Sequence, residues 1–248
     1  MLYIYIVFFI FCVVIFFFLN SNRKIDACKF VKYIQSNNSK KIIHNLKRVK
    51  DINSKFEFKA DLIPSKYQIK TKLINEKVEF KSSFINIQKA TILMIAIIYN
   101  NKIEVIKKII EMGADVNLCD ENRNTAFLYS ALYYNNPDIF DLLIENGADK
   151  NVKNILWANA IMVSLYNKEL DILKRLIDLG LDINIQNKGG WTPLMSIALD
   201  FCSLEKAKTL IEHGADINLK NKTDKSALDI AKEFGNNEFI DYINSLKN

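Results

Sequence analysis

Apolar residues in the second half of the chain come in short stripes at helical spacing, separated by polar turns. Ile103, Ile106, Ile109 and Ile110 form one stripe. Ile139, Phe140, Leu143 and Ile144 form a second, and Leu170, Leu173, Leu176 and Ile177 a third. Such spacing predicts helices with one buried face. After each last apolar pair come two residues and then a glycine, followed by a polar tag: Gly113-Ala114-Asp115-Val116-Asn117, Gly147-Ala148-Asp149-Lys150-Asn151 and Gly180-Leu181-Asp182-Ile183-Asn184, with a fourth copy at Gly214-Ala215-Asp216-Ile217-Asn218. A helix end favours a left-handed residue at this point, which glycine supplies without a Cβ penalty. The glycines lie 34, 33 and 34 residues apart, a period that marks a stacked-repeat chain.

Twelve residues after each glycine stands Thr125, Asn159, Thr192 or Ser226, and 34 residues before Thr125 stands Thr91. Each carries a short side-chain oxygen able to accept from an unpaired amide at a helix start. Behind them come the apolar segments Ile92–Ala96, Ala126–Leu128, Ala160–Val163, Pro193–Met195 and Ala227–Ala231, with Pro193 at a first helical position where its missing N–H costs nothing. One period therefore reads cap, short helix, turn, second helix, glycine stop, polar loop. Neither helix is long enough to be stable alone in water, so each pair must bury its stripe against the next.

These residues resemble the ankyrin repeat, whose pattern is Asp-x-x-Gly-x-Thr-Pro-Leu-His, a helix pair ending in Leu-Leu, then Gly-Ala-Asp-x-Asn. Thr192-Pro193-Leu194-Met195 comes closest to its first half. No repeat has His after the Leu, only Pro193 supplies the proline, and Asn154-Ile155-Leu156-Trp157-Ala158 replaces the usual polar loop. The resemblance implies an all-α helix-pair solenoid with short inter-repeat hairpin loops, with repeats at about 91–124, 125–158, 159–191, 192–225 and 226–248. It also implies that partners meet the loop tips and the concave face of the first helices. Carried onto this chain, the finger positions are Glu121, Asn122, Asn124, Ile155, Leu156, Ala158, Lys188, Gly189, Trp191, Lys222, Thr223 and Lys225. The concave positions are Tyr99, Leu132, Tyr133, Tyr166, Asn167, Leu199 and Asp200. Both tryptophans, Trp157 and Trp191, fall in fingers, and large aromatics are over-represented in binding hot spots. The bland alternative is that they fold back and seal the neighbouring finger. Tyr99, Tyr133 and Tyr166 suggest a ladder on the concave face, although helical aromatics are more often core.

Upstream the pattern weakens. Residues 21–53 form a basic segment with a divergent first repeat or cap, in which Val49-Lys50-Asp51-Ile52-Asn53 resembles the tag without its glycine. Residues 54–90 have mixed apolar spacing interrupted by Pro64, which leaves a degenerate repeat with an insertion or a short strand pair. Residues 1–19 are all apolar and reach roughly 28 Å as a helix, close to a bilayer's hydrocarbon thickness. The absence of a basic start, the long apolar core and the poor cleavage site at Leu19-Asn20-Ser21 favour an uncleaved anchor over residues 1–20 against a signal peptide. Arg23, Lys24, Lys29, Lys32 and Lys40 flank it, which predicts a single-pass protein with cytoplasmic repeats. The alternative is an exported or periplasmic protein acting on an envelope or host target.

Charge changes the picture only in its distribution. The chain carries a net +6, but residues 21–90 hold 17 Lys and Arg against 6 Asp and Glu, whereas residues 91–248 hold 17 against 22. The basic segment suits anionic lipid. The acidic array argues against nucleic acid as a partner and leaves another protein as the expected one. Candidate chemistry is sparse. Cys12, Cys28, Cys119 and Cys202 share no paired spacing, and His44 and His213 have no third ligand nearby. His213 precedes a tag glycine, where a helix end favours a cation. Asp115, Asp149, Asp182 and Asp216 recur once per period, as loop-forming residues do. Residues 21–90 lack a nucleophile–base pair. No enzyme, cofactor or metal is expected.

Overall fold

Helices of four to nine residues make up the chain from Ile92 onward in the computed structural model, which describes residues 55–56, 90–99, 102–201 and 203–246. The expected membrane helix, the basic segment with its divergent repeat, and nearly all of 54–90 lie outside the described residues. Among the described residues, no helix is long and apolar enough to cross a membrane. The chain divides into two units, residues 1–123 and 124–248.

In the first unit, β1 (Lys55–Phe56) pairs antiparallel with β2 (Ala90–Thr91), Lys55 opposite Thr91 and Phe56 opposite Ala90. The chain thus leaves this point at Phe56 and returns to it at Ala90. Thr91 Oγ1 then accepts from the Met94 amide at 3.3 Å and starts α1 (Ile92–Tyr99), which packs on α2 (Ile103–Glu111). Their buried faces are Leu93, Met94, Ile97 and Ile98 on one and Val105, Ile106 and Ile109 on the other.

The second unit contains four helix pairs, the first three being α3 (Ala126–Tyr133) with α4 (Asp138–Glu145), α5 (Ala160–Ser164) with α6 (Leu170–Asp178), and α7 (Pro193–Ser196) with α8 (Leu204–Glu212). A fourth pair, α9 (Ala227–Phe234) with α10 (Asn237–Ser245), follows. Helix α7 runs on into a π-helical turn, Ile197–Phe201. First helices stack on first helices, α3 on α5, α5 on α7, and α7 with its π turn on α9; α6, α8 and α10 form the second layer. Between the layers, Phe127 meets Phe140 with ring centroids 5.1 Å apart at 56°, a tilted geometry that adds to simple area burial.

The last apolar pair of each second helix has two jobs. Its first side chain is buried in the core, and its carbonyls stop the helix. Gly147 N–H donates to Ile144 O at 2.9 Å and Ala148 N–H to Leu143 O at 2.9 Å; the same two bonds recur from Gly113 and Ala114, Gly180 and Leu181, and Gly214 and Ala215. The glycines take φ of 90°, 85°, 74° and 96°, as this stop requires.

Caps follow expectation with one exception. Asn159, Thr192 and Ser226 accept from the amides of Met162, Met195 and Asp229. Thr125 makes no side-chain cap bond, and its buried Oγ1 has no partner. Ser226 closes a reciprocal box with Asp229, and the bonds from the Ser226 hydroxyl and amide hold the Asp229 carboxyl below its ordinary range.

Each junction in the second unit is tied by a nitrogen on the orphan carbonyls that end the preceding first helix. Asn167 Nδ2 donates to Ala131 O and Tyr134 O at 3.1 and 2.8 Å. Asn236 Nδ2 donates to Ile197 O and Ala198 O at 3.4 and 3.3 Å. Between them the task falls to Lys206, only 6% exposed, whose Nζ reaches Ser164 O at 3.4 Å, Leu165 O at 2.7 Å and also Asn167 O. Asn167 is therefore a structural tie and not the concave contact expected from sequence.

Candidate functional site

Every finger is built on one side chain. Asp120, Asn154, Asn187 and Asn221 each turn Oδ1 back onto the amide two residues on, at 2.9, 2.9, 2.8 and 2.9 Å. In the last three fingers the same oxygen also accepts from the fourth residue, Ala158, Trp191 or Lys225. An Asp or Asn does this because its short side chain mimics a backbone turn. The third residue closes the turn on the anchor's carbonyl and takes positive φ: Arg123 at 61°, Trp157 at 63°, Gly190 at 78° and Asp224 at 60°.

Asn154-Ile155-Leu156-Trp157 thus has the same backbone turn as its polar neighbours, with an apolar tip. Trp157 sits where a left-handed backbone costs a side-chain-bearing residue about 1–2 kcal/mol, and it is 53% exposed. Ile155 and Leu156 are half-buried. Of the two expectations for the tryptophans, exposure holds for Trp157. Trp191 is half-buried and folds over its own finger, close to Gly189. Lys188 is exposed.

Successive fingers are joined through their backbones. Lys188 N–H donates to Leu156 O at 2.9 Å, and Lys222 N–H to Gly189 O at 3.2 Å. Gln186 Nε2 bridges Gly190 O and Lys220 O, both at 2.9 Å. A Cβ on Gly190 would meet Lys222 N at 2.8 Å, so that glycine lets the third and fourth fingers touch. The tag below each finger is fixed similarly: Asp115, Asp149, Asp182 and Asp216 each accept from the amide two residues on at 2.8–2.9 Å. Asn184 ties two tags by donating to Gly214 O at 3.0 Å and accepting from Asp216 N at 2.8 Å.

Other sequence candidates scatter. Glu121 is exposed and Asn122 half-buried, both on the finger of the first unit. Asn124 and Ala158 are buried at finger bases and do not project. Tyr133, 5% exposed, stacks on Tyr129 at 6.1 Å. It belongs to the packed helix layer, which corrects the expected tyrosine ladder. Tyr166 is half-buried, as are Leu132 and Leu199. The Tyr99 and Asp200 side chains lie outside the described residues. His213 caps α8, its Nδ1 2.7 Å from Thr209 O. Among the described residues, no three His, Cys, Asp or Glu side chains gather as a metal site would need.

The finger anchors went unread in the sequence, although Asp120, Asn154, Asn187 and Asn221 keep the 34, 33 and 34 spacing. Lys206 offered no comparable signal, because it replaces an asparagine at a different helical position.

Stacked helix pairs, glycine-stopped and joined by backbone-paired fingers, define a solenoid of helix-pair repeats. The family model described as ankyrin repeats (3 copies) matches residues 65–154 and 160–246, and the chain belongs to that family. Proteins of curated function give no match. Ankyrin repeats are in general protein-interaction modules.

Proposed function

We propose that the chain is a membrane-tethered ankyrin-repeat protein that captures another protein through its finger row, without catalysis of its own. The observation that carries this reading is Trp157: a large aromatic, 53% exposed, on a left-handed turn that glycine would adopt more readily. Exposure and backbone strain both cost stability, and their coincidence at one finger tip points to use. The uniformly apolar residues 1–19 and the basic flank that follows support a single-pass anchor with the repeats in the cytoplasm. The flank itself suits anionic lipid.

Affinity capture from native membranes, with residues 1–20 intact, tests this reading. Trp157→Gly keeps the turn and removes the ring; it should lose the captured partner while far-UV circular dichroism stays unchanged. Trp157→Phe should retain it in part. Equal capture by all three proteins would remove Trp157 as the anchor. Mass spectrometry of the mature N-terminus separates the tethered reading from the exported one: a start near residue 20–22 replaces the anchor with a cleaved signal.

A further inference from the structure

The fingers of the second unit differ in charge from the rest of it. Residues 152–158, 185–191 and 219–225 carry Lys153, Lys188, Lys220, Lys222 and Lys225 against Asp224 alone, a net of +4. The other residues of 124–248 carry 8 Lys and Arg against 16 Asp and Glu, a net of −8. Lys220 is neutralised by Asp224 at 2.9 Å and Lys225 by Glu233 at 2.5 Å, whereas Lys153, Lys188 and Lys222 are exposed. Two of these three are held in register by the ladder that runs from Leu156 through Lys188 and Gly189 to Lys222. The apolar tip Ile155-Leu156-Trp157 stands at one end of this row.

Resting on the finger-row reading above, we propose that the partner is an acidic protein segment with one large apolar residue. That residue seats against Trp157, and its carboxylates meet Lys153, Lys188 and Lys222. The size of the footprint selects a segment over a membrane. Charges beyond about 8 Å are screened at physiological salt, so a narrow chain laid along the tips meets the three exposed lysines. An extended anionic surface would also face the exposed Asp149, Asp182 and Asp216 of the tags beneath. The fixed backbone spacing suits discrete carboxylates, which a fluid lipid surface does not present.

Fluorescence anisotropy on the full-length chain in neutral detergent tests this, using a short fluorescein-labelled peptide rich in Asp and Glu with a single Leu. The combined variant Lys153→Ser, Lys188→Ser, Lys222→Ser should weaken binding roughly tenfold, the sum expected of three exposed ion pairs. It should also flatten the salt dependence. The matched variant Lys168→Ser, Lys174→Ser, Lys232→Ser changes net charge equally at exposed positions outside the fingers and should leave binding unchanged. Equal weakening by both variants, or by neither, overturns the proposal. So does tighter binding of phosphatidylserine vesicles or of a single-stranded oligonucleotide. If the finger lysines have no effect while Trp157→Gly still releases a captured partner, the acidic-partner inference falls and the finger row stands.

Discussion

Comparing alanine with glycine at position 157 isolates what the backbone pays for Trp157. Both substitutions remove the same ring. With the side chain 53% exposed, just under half of a surface of up to ~250 Å² is covered, so removing it costs at most about 3 kcal/mol at ~25 cal/mol per Å². Alanine keeps the left-handed penalty of about 1–2 kcal/mol. Glycine escapes that penalty but gives back about 0.4–1 kcal/mol through the freer unfolded chain. Trp157→Gly is therefore expected to be more stable than Trp157→Ala by about 0.8 kcal/mol, with both below wild type. Urea unfolding of the full chain, followed by far-UV circular dichroism, reads the difference as a shift in midpoint at common slope. An alanine variant as stable as the glycine variant would refute the reasoning, since it would mean that φ of +63° stores no strain.

Further predictions follow from the same geometry. Gly190→Ala should cost at least 2 kcal/mol, because strain at φ +78° adds to a Cβ 2.8 Å from the Lys222 amide; Gly147→Ala, at φ +85° with nothing within 4 Å, should cost only about 1 kcal/mol. Denaturant midpoints of the two variants check the contrast. Asn167→Ala leaves the Ala131 and Tyr134 carbonyls without this donor and should cost about 1–3 kcal/mol in the same assay. Ser226→Ala tests the capping box against pH. The Asp229 carboxyl titrates below its ordinary value in the folded chain, so its contribution is complete above about pH 4 and fades as pH falls through the native value. The variant should lose more stability at pH 7 than at pH 2; an equal loss at both would assign the effect to the hydroxyl alone.

The repeat was legible because its punctuation is local. A glycine that follows an apolar pair after two residues needs no tertiary information, and four such stops 33 or 34 residues apart fix the unit. The caps were readable for the same reason; Thr125 is the exception, because residue type marks a capable side chain but not whether it makes the bond, and its Oγ1 is buried without a partner. The site was legible only in part. Trp157 stood out by its residue type, but neither its left-handed backbone nor the half-buried state of Trp191 follows from spacing. Tyr133 and Asn167 were misplaced because position on a short first helix does not say which face the next helix covers. Charge was read only as a sum over the array. Summed along the chain the repeats are acidic, whereas the folded chain gathers lysines from three separate fingers into one row.

Photo-crosslinking from the finger tip tests the central claim most directly. With benzoylphenylalanine at position 157 of the full chain in native membranes, irradiation should give a discrete adduct with another protein. The same probe at exposed Lys174 on α6 should not give it. An identical adduct from both positions, or an adduct from position 174 alone, would contradict the assignment of the finger row as the binding surface.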